Sequence, residues 1–188
     1  KGTNILSNMG GGTYTLSVRG ITPIPPSAPG QTPAAPIVSS STHPDSEKWY
    51  SNNSPEFNWK LPSDVTGVSL LLTEKPTSNP GSQSDGLLTS KKYENTEDGE
   101  WYFHIKFKNE NGWGEITHRK VLIDTKPPEP FQVVVDNEND ATNPTPIFLF
   151  ETTDSLSGVE YYEVKLNEEK ATTTPQDIKD NPYQPPPQ

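Results

Sequence analysis

The 188-residue chain carries 25 Asp and Glu against 15 Lys and Arg, a formal net charge of −10, and only 29% of its residues are hydrophobic. Such a chain is repelled by phosphate backbones and anionic lipids, so nucleic acid and membrane-surface partners are not expected, and its core must be small. The absence of cysteine removes disulfides, zinc thiolates and thiol nucleophiles, while 21 prolines and 13 glycines favour turns and extended linkers over helices. No apolar run approaches the roughly 20 residues of a membrane helix, and no charged-then-apolar leader opens the chain. With Lys1 first and Met9 its single methionine, it reads as a piece of a longer protein.

In residues 10–19, Tyr14, Leu16 and Val18 alternate with small polar residues, as in a strand. One strand cannot bury its own face, so residues 1–20 are expected to be the last strand of a preceding β-sandwich. Residues 21–36 are proline-rich and predict an extended, semi-rigid linker. From residue 37 onward, short strands are expected at 37–41, 56–59, 67–73, 87–92, 100–108 and 115–123, with turn chemistry between them. Strands at this spacing predict a complete antiparallel β-sandwich over residues 37–128.

Its central strand is the most regular stretch in the chain. Trp101, Phe103, Ile105 and Phe107 fall on one side, and Tyr102, His104, Lys106 and Lys108 on the other, because successive side chains of a strand point to opposite faces. The first set is expected in the core with Phe57, Trp59, Val68, Leu70, Leu72, Val121 and Ile123, and the second set in water. A hairpin through Asn109-Glu-Asn-Gly112 should come next, with Gly112 supplying a positive φ.

The chain then repeats itself. Phe57 and Phe148, Trp59 and Phe150, and Gly67 and Gly158 are pairs 91 residues apart, which predicts a second copy over residues 129–188 with strands at 131–135, 147–151 and 159–166. The counterpart of Asp98 would fall one position past Gln188, so this copy is expected to be truncated before its central hairpin and loosely ordered.

The block Asp98-Gly-Glu-Trp-Tyr-Phe-His-Ile-Lys-Phe-Lys-Asn-Glu-Asn-Gly-Trp-Gly114 resembles the penultimate strand and following loop of fibronectin type III and related bacterial Ig-like repeats. Trp101 stands where the fibronectin family usually has tyrosine. Ile123-Asp-Thr-Lys-Pro-Pro128 is similar to the joint between such repeats in bacterial surface proteins, and residues 1–15 resemble the end of a cohesin-like bacterial sandwich. The resemblance implies an all-β fold of Ig-like, fibronectin type III-like sandwiches, one complete module with truncated flanking modules. It also implies an extracellular or cell-surface place and a non-catalytic spacer or adhesion role. The partners would be other domains of the same chain and a protein or glycan ligand. The alternative is an accessory, glycan-binding region of a secreted multidomain enzyme.

Catalytic chemistry finds little to work with. The three histidines stand in separate contexts, neither Gly-x-Ser-x-Gly nor His-Glu-x-x-His spacing occurs, and no carboxylates are set as a pair. Asp136-Asn-Glu-Asn-Asp140 is a run of oxygen ligands, which makes Asp136, Glu138 and Asp140 the calcium candidates. A solvated acidic loop needs no metal, so no cofactor is expected. His104 and His118 share the outward face of neighbouring strands and, without a third ligand, read as solvated surface. Trp49, Tyr50, Tyr102 and Trp113 are aromatics that alternation does not force inward; they either form a ligand surface or cover the open ends of the sandwich.

Overall fold

The computed structural model describes residues 3–6, 14–17, 24–137, 142, 146–166, 169–180 and 182. They fall into two compact units, one of Lys1–Ser41, Phe57–Lys91 and Tyr102–Arg119, the other of Thr42–Glu56, Lys92–Trp101 and Lys120–Gln188. In chain order the elements are β1 (Thr3–Leu6), β2 (Tyr14–Ser17), β3 (Val38–Ser40), β4 (Trp49–Tyr50), β5 (Glu56–Trp59), β6 (Gly67–Thr73) and β7 (Ser90–Lys92). They continue with β8 (Gly99–Asn109), β9 (Gly112–Ile123), β10 (Val134–Asp136), β11 (Ile147–Leu149), β12 (Tyr162–Leu166), β13 (Glu169–Thr173) and α1 (Pro175–Asp180).

Two sheets make the Ig-like sandwich, one ordered β3-β5-β7 and the other β4-β9-β8-β6. The alternation along β8 decides where the core lies. Phe103, Ile105 and Phe107 are all but fully buried, and the Phe103 ring lies parallel to Phe57 of β5 at 4.2 Å between centroids, with Trp59 at 5.8 Å. These rings join the inner faces of the two sheets. The Trp59 indole N–H donates to the Leu88 carbonyl at 2.7 Å, so the large ring is buried without an unpaired polar atom. Antiparallel β6 pairs with β8 over seven residues, from Gly67 opposite Lys108 to Thr73 opposite Tyr102. Trp101, expected in the core, is half-buried, and its indole N–H donates to the Glu97 carbonyl at 2.8 Å.

The turn after β8 is as the sequence predicts, with Gly112 at φ 122°, a conformation that a side chain disfavours. Buried Asn109 organises its surroundings: its amide donates to the Gln31 carbonyl at 2.9 Å and to Asp64 at 3.0 Å, and its own oxygen accepts from the Asn111 N–H at 2.9 Å. That bond to Gln31 bears on the proline-rich segment. Residues 31–36, expected as part of an extended, semi-rigid linker, are anchored along the hairpin: Pro33 and Pro36 are buried, and the Thr117 hydroxyl donates to the Pro36 carbonyl. Gly114 is required there, because a Cβ would come within 1.9 Å of the Pro33 carbonyl oxygen.

The opposite face of β8 departs from expectation. Lys108 is exposed, but His104 and Lys106 are buried at 0% and 6% exposure. The chain leaving β6 folds back over them: Ser69 donates to the Pro80 carbonyl at 3.1 Å, and the Lys106 ammonium to the Asn79 side chain at 2.8 Å. Alternation separates the two faces of a strand but does not say that the polar face meets water.

In the second unit β4 runs parallel to the end of β9, with Trp49 opposite Leu122 and Tyr50 opposite Ile123. Two residues are too short to show a period, so the sequence does not predict this strand. His43 is fully buried beside it: Nε2 donates to the Asn52 carbonyl at 2.9 Å, and Nδ1 lies 2.9 Å from the Thr42 hydroxyl, which accepts from the Glu56 N–H. Farther on, β10 pairs with β11 and β12 with β13, and Phe150, Tyr162 and Ile178 form a small core with Phe148, Val159 and Val164 around it. The expected strands at 131–135, 147–151 and 159–166 are present in shortened form. Strand β13 and helix α1 are additions to the expected elements; Thr174 caps α1 by accepting from the Asp177 N–H while Asp177 accepts from Thr174, a reciprocal capping box. At the other end, β1 and β2 form an antiparallel pair from Thr3 opposite Ser17 to Leu6 opposite Tyr14, where a single strand is expected; Val18 lies outside the described residues.

Phe103→Ala should destabilise the sandwich by about 3–5 kcal/mol, since it removes the ring that stacks on Phe57, whereas Tyr102→Ala should cost about 1 kcal/mol. Urea melts of both variants check this, and equal losses would contradict the assignment of faces.

Candidate functional site

Three places bring together residues with chemical potential. In the first unit, β8 and β9 set His104 and His118 side by side, with Nδ1 to Nδ1 at 2.6 Å and ring centroids 4.8 Å apart. One Nδ1 must donate and the other accept, so the two atoms share one proton. His104 Nε2 lies 3.0 Å from the Thr73 hydroxyl. His104 is therefore buried and not the solvated surface expected of it, whereas its partner His118 is exposed. Burial, and secondarily the neighbouring His118, hold the pKa of His104 below the usual 6.5, with a backbone contact to Lys75 opposing. Two imidazoles this close leave no room for an ion between the paired nitrogens, and among the described residues no group of three or more His, Asp or Glu is placed to hold a metal.

The second place is the segment after β9, and all of it belongs to the second unit. Asp98 accepts from both the N–H and the hydroxyl of Thr125, each at 2.9 Å. Asp124 is buried, and its carboxylate accepts from the Lys126 N–H at 3.1 Å and from the Ser157 N–H at 3.0 Å. Its own N–H donates to the Tyr50 carbonyl at 3.0 Å. On the far side Asp154 accepts from the Leu156 and Gly158 N–H groups at 2.9 and 3.1 Å, which fixes the turn that presents Ser157. Glu129 N–H donates to the Thr153 carbonyl, and Thr152 donates back to the Glu129 carbonyl. Burial pushes the Asp124 carboxyl upward, but hydrogen bonds from Ser157, Lys126 and the Asp154 neighbourhood outweigh it and hold the carboxyl below the ordinary 3.8. The Asp-Thr-Lys-Pro-Pro segment is thus fastened by two carboxylates.

The aromatic candidates are divided between the two units. Tyr102 and Trp113 lie in the first unit, Trp49 and Tyr50 in the second. The Trp113 face is occupied from within, by the ammonium groups of Lys106 and Lys108 at 5.1 and 5.9 Å. Tyr102 is half-buried opposite Thr73. Tyr50 packs edge-on to His43 at 4.8 Å, and its hydroxyl accepts from the Asp45 N–H at 3.1 Å. Trp49 and Tyr50 line an open cleft of about 760 Å³ with Glu47, Lys48, Asp124 and Glu160, the third place. Of the calcium candidates, Asp136 is exposed at the end of β10, and Glu138 and Asp140 lie outside the described residues.

No protein-family model matches the chain, and no curated protein matches it. Among solved structures, the crystal structure of chicken CNTN1 FN1-FN3 domains aligns with 86% of this chain at 12% identity and a TM-score of 0.31. The chain spans 57% of the length of that structure. At so low a score the likeness carries no argument, and the Ig-like architecture stands on the strand order and core described above.

The histidine pair and the joint each generate a prediction. Folded His104 takes a proton less readily than an unfolded histidine, so its contribution is complete above about pH 6.5 and declines as the pH falls below that value. The urea midpoint should be lower at about pH 5.5 than at about pH 7.5, and His104→Gln should shrink that difference; an unchanged difference in the variant would contradict it. Asp124→Ala should cost about 1–3 kcal/mol and expose the Ser157 and Lys126 amides to rapid exchange at neutral pH. The same exchange should appear in the unmutated chain as the pH falls below the ordinary aspartate value of 3.8, because the depressed pKa stabilises the joint only above that range. Slow exchange at Ser157 in Asp124→Ala would contradict the role assigned to the carboxylate.

Proposed function

We propose that this chain is a stretch of non-catalytic Ig-like repeats from a large bacterial cell-surface or secreted protein, serving as a spacer that holds other domains of the same polypeptide at a distance. The observation that carries the reading is the closed joint. A flexible tether needs no buried carboxylate, yet Asp98 and Asp124 fasten Thr125, Lys126 and Ser157 between two copies of a 91-residue repeat. Proline at 127 and 128 adds stiffness where the chain leaves the joint, since its ring fixes φ and has no N–H to pair. An extracellular place, a preceding sandwich at residues 1–20 and the bacterial source belong to the same reading, supported by the resemblance of the joint and of the block at 98–114.

A second reading has one observation in its favour. The cleft at Trp49 and Tyr50 presents an accessible ring beside carboxylates and a lysine, a composition suited to a sugar, as an accessory region of a secreted enzyme would require. A glycan array probed with the 1–188 chain separates the two. The spacer reading predicts no sugar bound above background, and binding that disappears in Trp49→Ala would overturn it.

A further inference from the structure

His104 lies beneath a segment that is tied to the sheet partly through His104 itself. Residues 74–81 leave β6 and fold back over the outer face of β8, held by hydrogen bonds from Ser69 to the Pro80 carbonyl and from the Lys106 ammonium to the Asn79 side chain. The Thr73 hydroxyl adds a third tie, with Ser78 Oγ at 3.2 Å and the Lys75 carbonyl at 3.3 Å as its acceptors. His104 Nε2 lies 3.0 Å from the same hydroxyl. When Nε2 donates there, the one hydroxyl hydrogen is left to bond the segment, and Nδ1 of His104 has to accept from Nδ1 of His118 at 2.6 Å.

This closed arrangement has room for one positive charge. Exposed His118 can take a proton at Nε2 with the contact intact, as an imidazolium donating to a neutral imidazole. A second proton puts an N–H on both Nδ1 atoms, which then oppose one another. With His118 turned out into water, His104 is left as a buried cation. Its surroundings supply no counter-charge: Leu71 and Thr73 on β6, Lys106 next on the same face of β8, His118 on β9, and the backbone of Lys75 in the covering segment. A buried, unpaired cation is costly until water reaches it, and the segment stands in the way.

We propose that residues 74–81 are an acid-released flap: when both imidazoles are charged, His104 and His118 separate and the segment lifts, hydrating His104 and uncovering the outer face of β8. The sheet stays closed, because β6 and β8 are paired through backbone groups that do not titrate. Burial, and secondarily the charge on His118, oppose the proton on His104 in the closed flap, and both are relieved in the open one. The flap is therefore held above about pH 6.5 and released as the pH falls below that value.

Relaxation-dispersion NMR at residues 74–81 of the intact 1–188 chain reads the released population. Between about pH 7.5 and about pH 5.5 that population should rise about tenfold, the factor for one extra proton bound near the ordinary histidine value, while the amides of Phe103, Ile105 and Phe107 are unchanged. His104→Gln removes the extra proton and should leave the flap equally closed at both pH values. His118→Glu, at an exposed position, offers charged His104 a carboxylate and should abolish or reverse the acid response. No rise in the unmutated chain, an undiminished rise in either variant, or release of the flap only together with the strand amides would each overturn the proposal.

Discussion

The contact between Phe103 and Phe57 is the constraint on which most of the sandwich depends. It joins a ring on β8 to a ring on β5, strands of different sheets, and the buried apolar side chains Trp59, Ile105, Phe107 and Val68 lie on the same two inner faces. In a chain only 29% hydrophobic, few such rings are available, and each one carries a large share of the area that holds the sheets together. That scarcity accounts for the use made of polar groups. Asn109, Ser69, His104 and Asp124 are all buried, each with hydrogen-bond partners, and they tie loops to strands where an apolar-rich protein would pack side chains.

The second consequence concerns the outer face of β8. A segment ending at Pro80 and Gly81 folds over it, and its bonds to Ser69 and Lys106 leave β8 shielded on both sides. The cost is a close pair of imidazoles that cannot both be charged at Nδ1, which makes this face more acid-sensitive than the apolar one. At the other end of β8, the proline segment at 31–36 supplies a further anchored layer, held by Asn109 and Thr117 and admitted by the bare Cα of Gly114. The sandwich is thus protected by loops that contribute hydrogen bonds and little apolar surface.

How much of this is legible in the chain depends on whether the determining interactions are local in sequence. Strands β5 and β6 have the bounds that alternation and turn residues suggest, and Gly112 has the positive φ its place in the turn requires. At an offset of 91 residues, Phe148 lies opposite Val135 as Phe57 lies opposite Ser40, whereas Phe150 falls past the end of β11 and lacks the strand partner that Trp59 has in Val38. What escapes is long-range or too short to be periodic: the two-residue β4 beside β9, the burial of His104 and Lys106 beneath a loop, and the docking of Pro33 against Gly114. Helix α1 is a different case, since Thr174-Pro175-Gln176-Asp177 is a legible start signal, a capping box with proline at the first helical position. Six residues of helix simply show no amphipathic period. At the candidate site, the Asp-Thr-Lys-Pro-Pro segment is legible as a motif, but the contacts of Asp98 and Asp124 that fasten it are not.

Asp98 and Asp124 stand at the outer ends of the two long strands, and their hydrogen bonds give the chain beyond β9 a fixed point of attachment. Between those ends, residues 103–107 of β8 are buried, shielded by rings on one face and by a hydrogen-bonded loop on the other. Native-state amide exchange in low urea tests this most directly. The prediction is that the amides of Phe103, His104, Ile105 and Lys106 exchange only through global unfolding, with one common urea dependence. If His104 and Lys106 instead exchanged through local opening, well before Phe103 and Ile105, the covered outer face would be refuted.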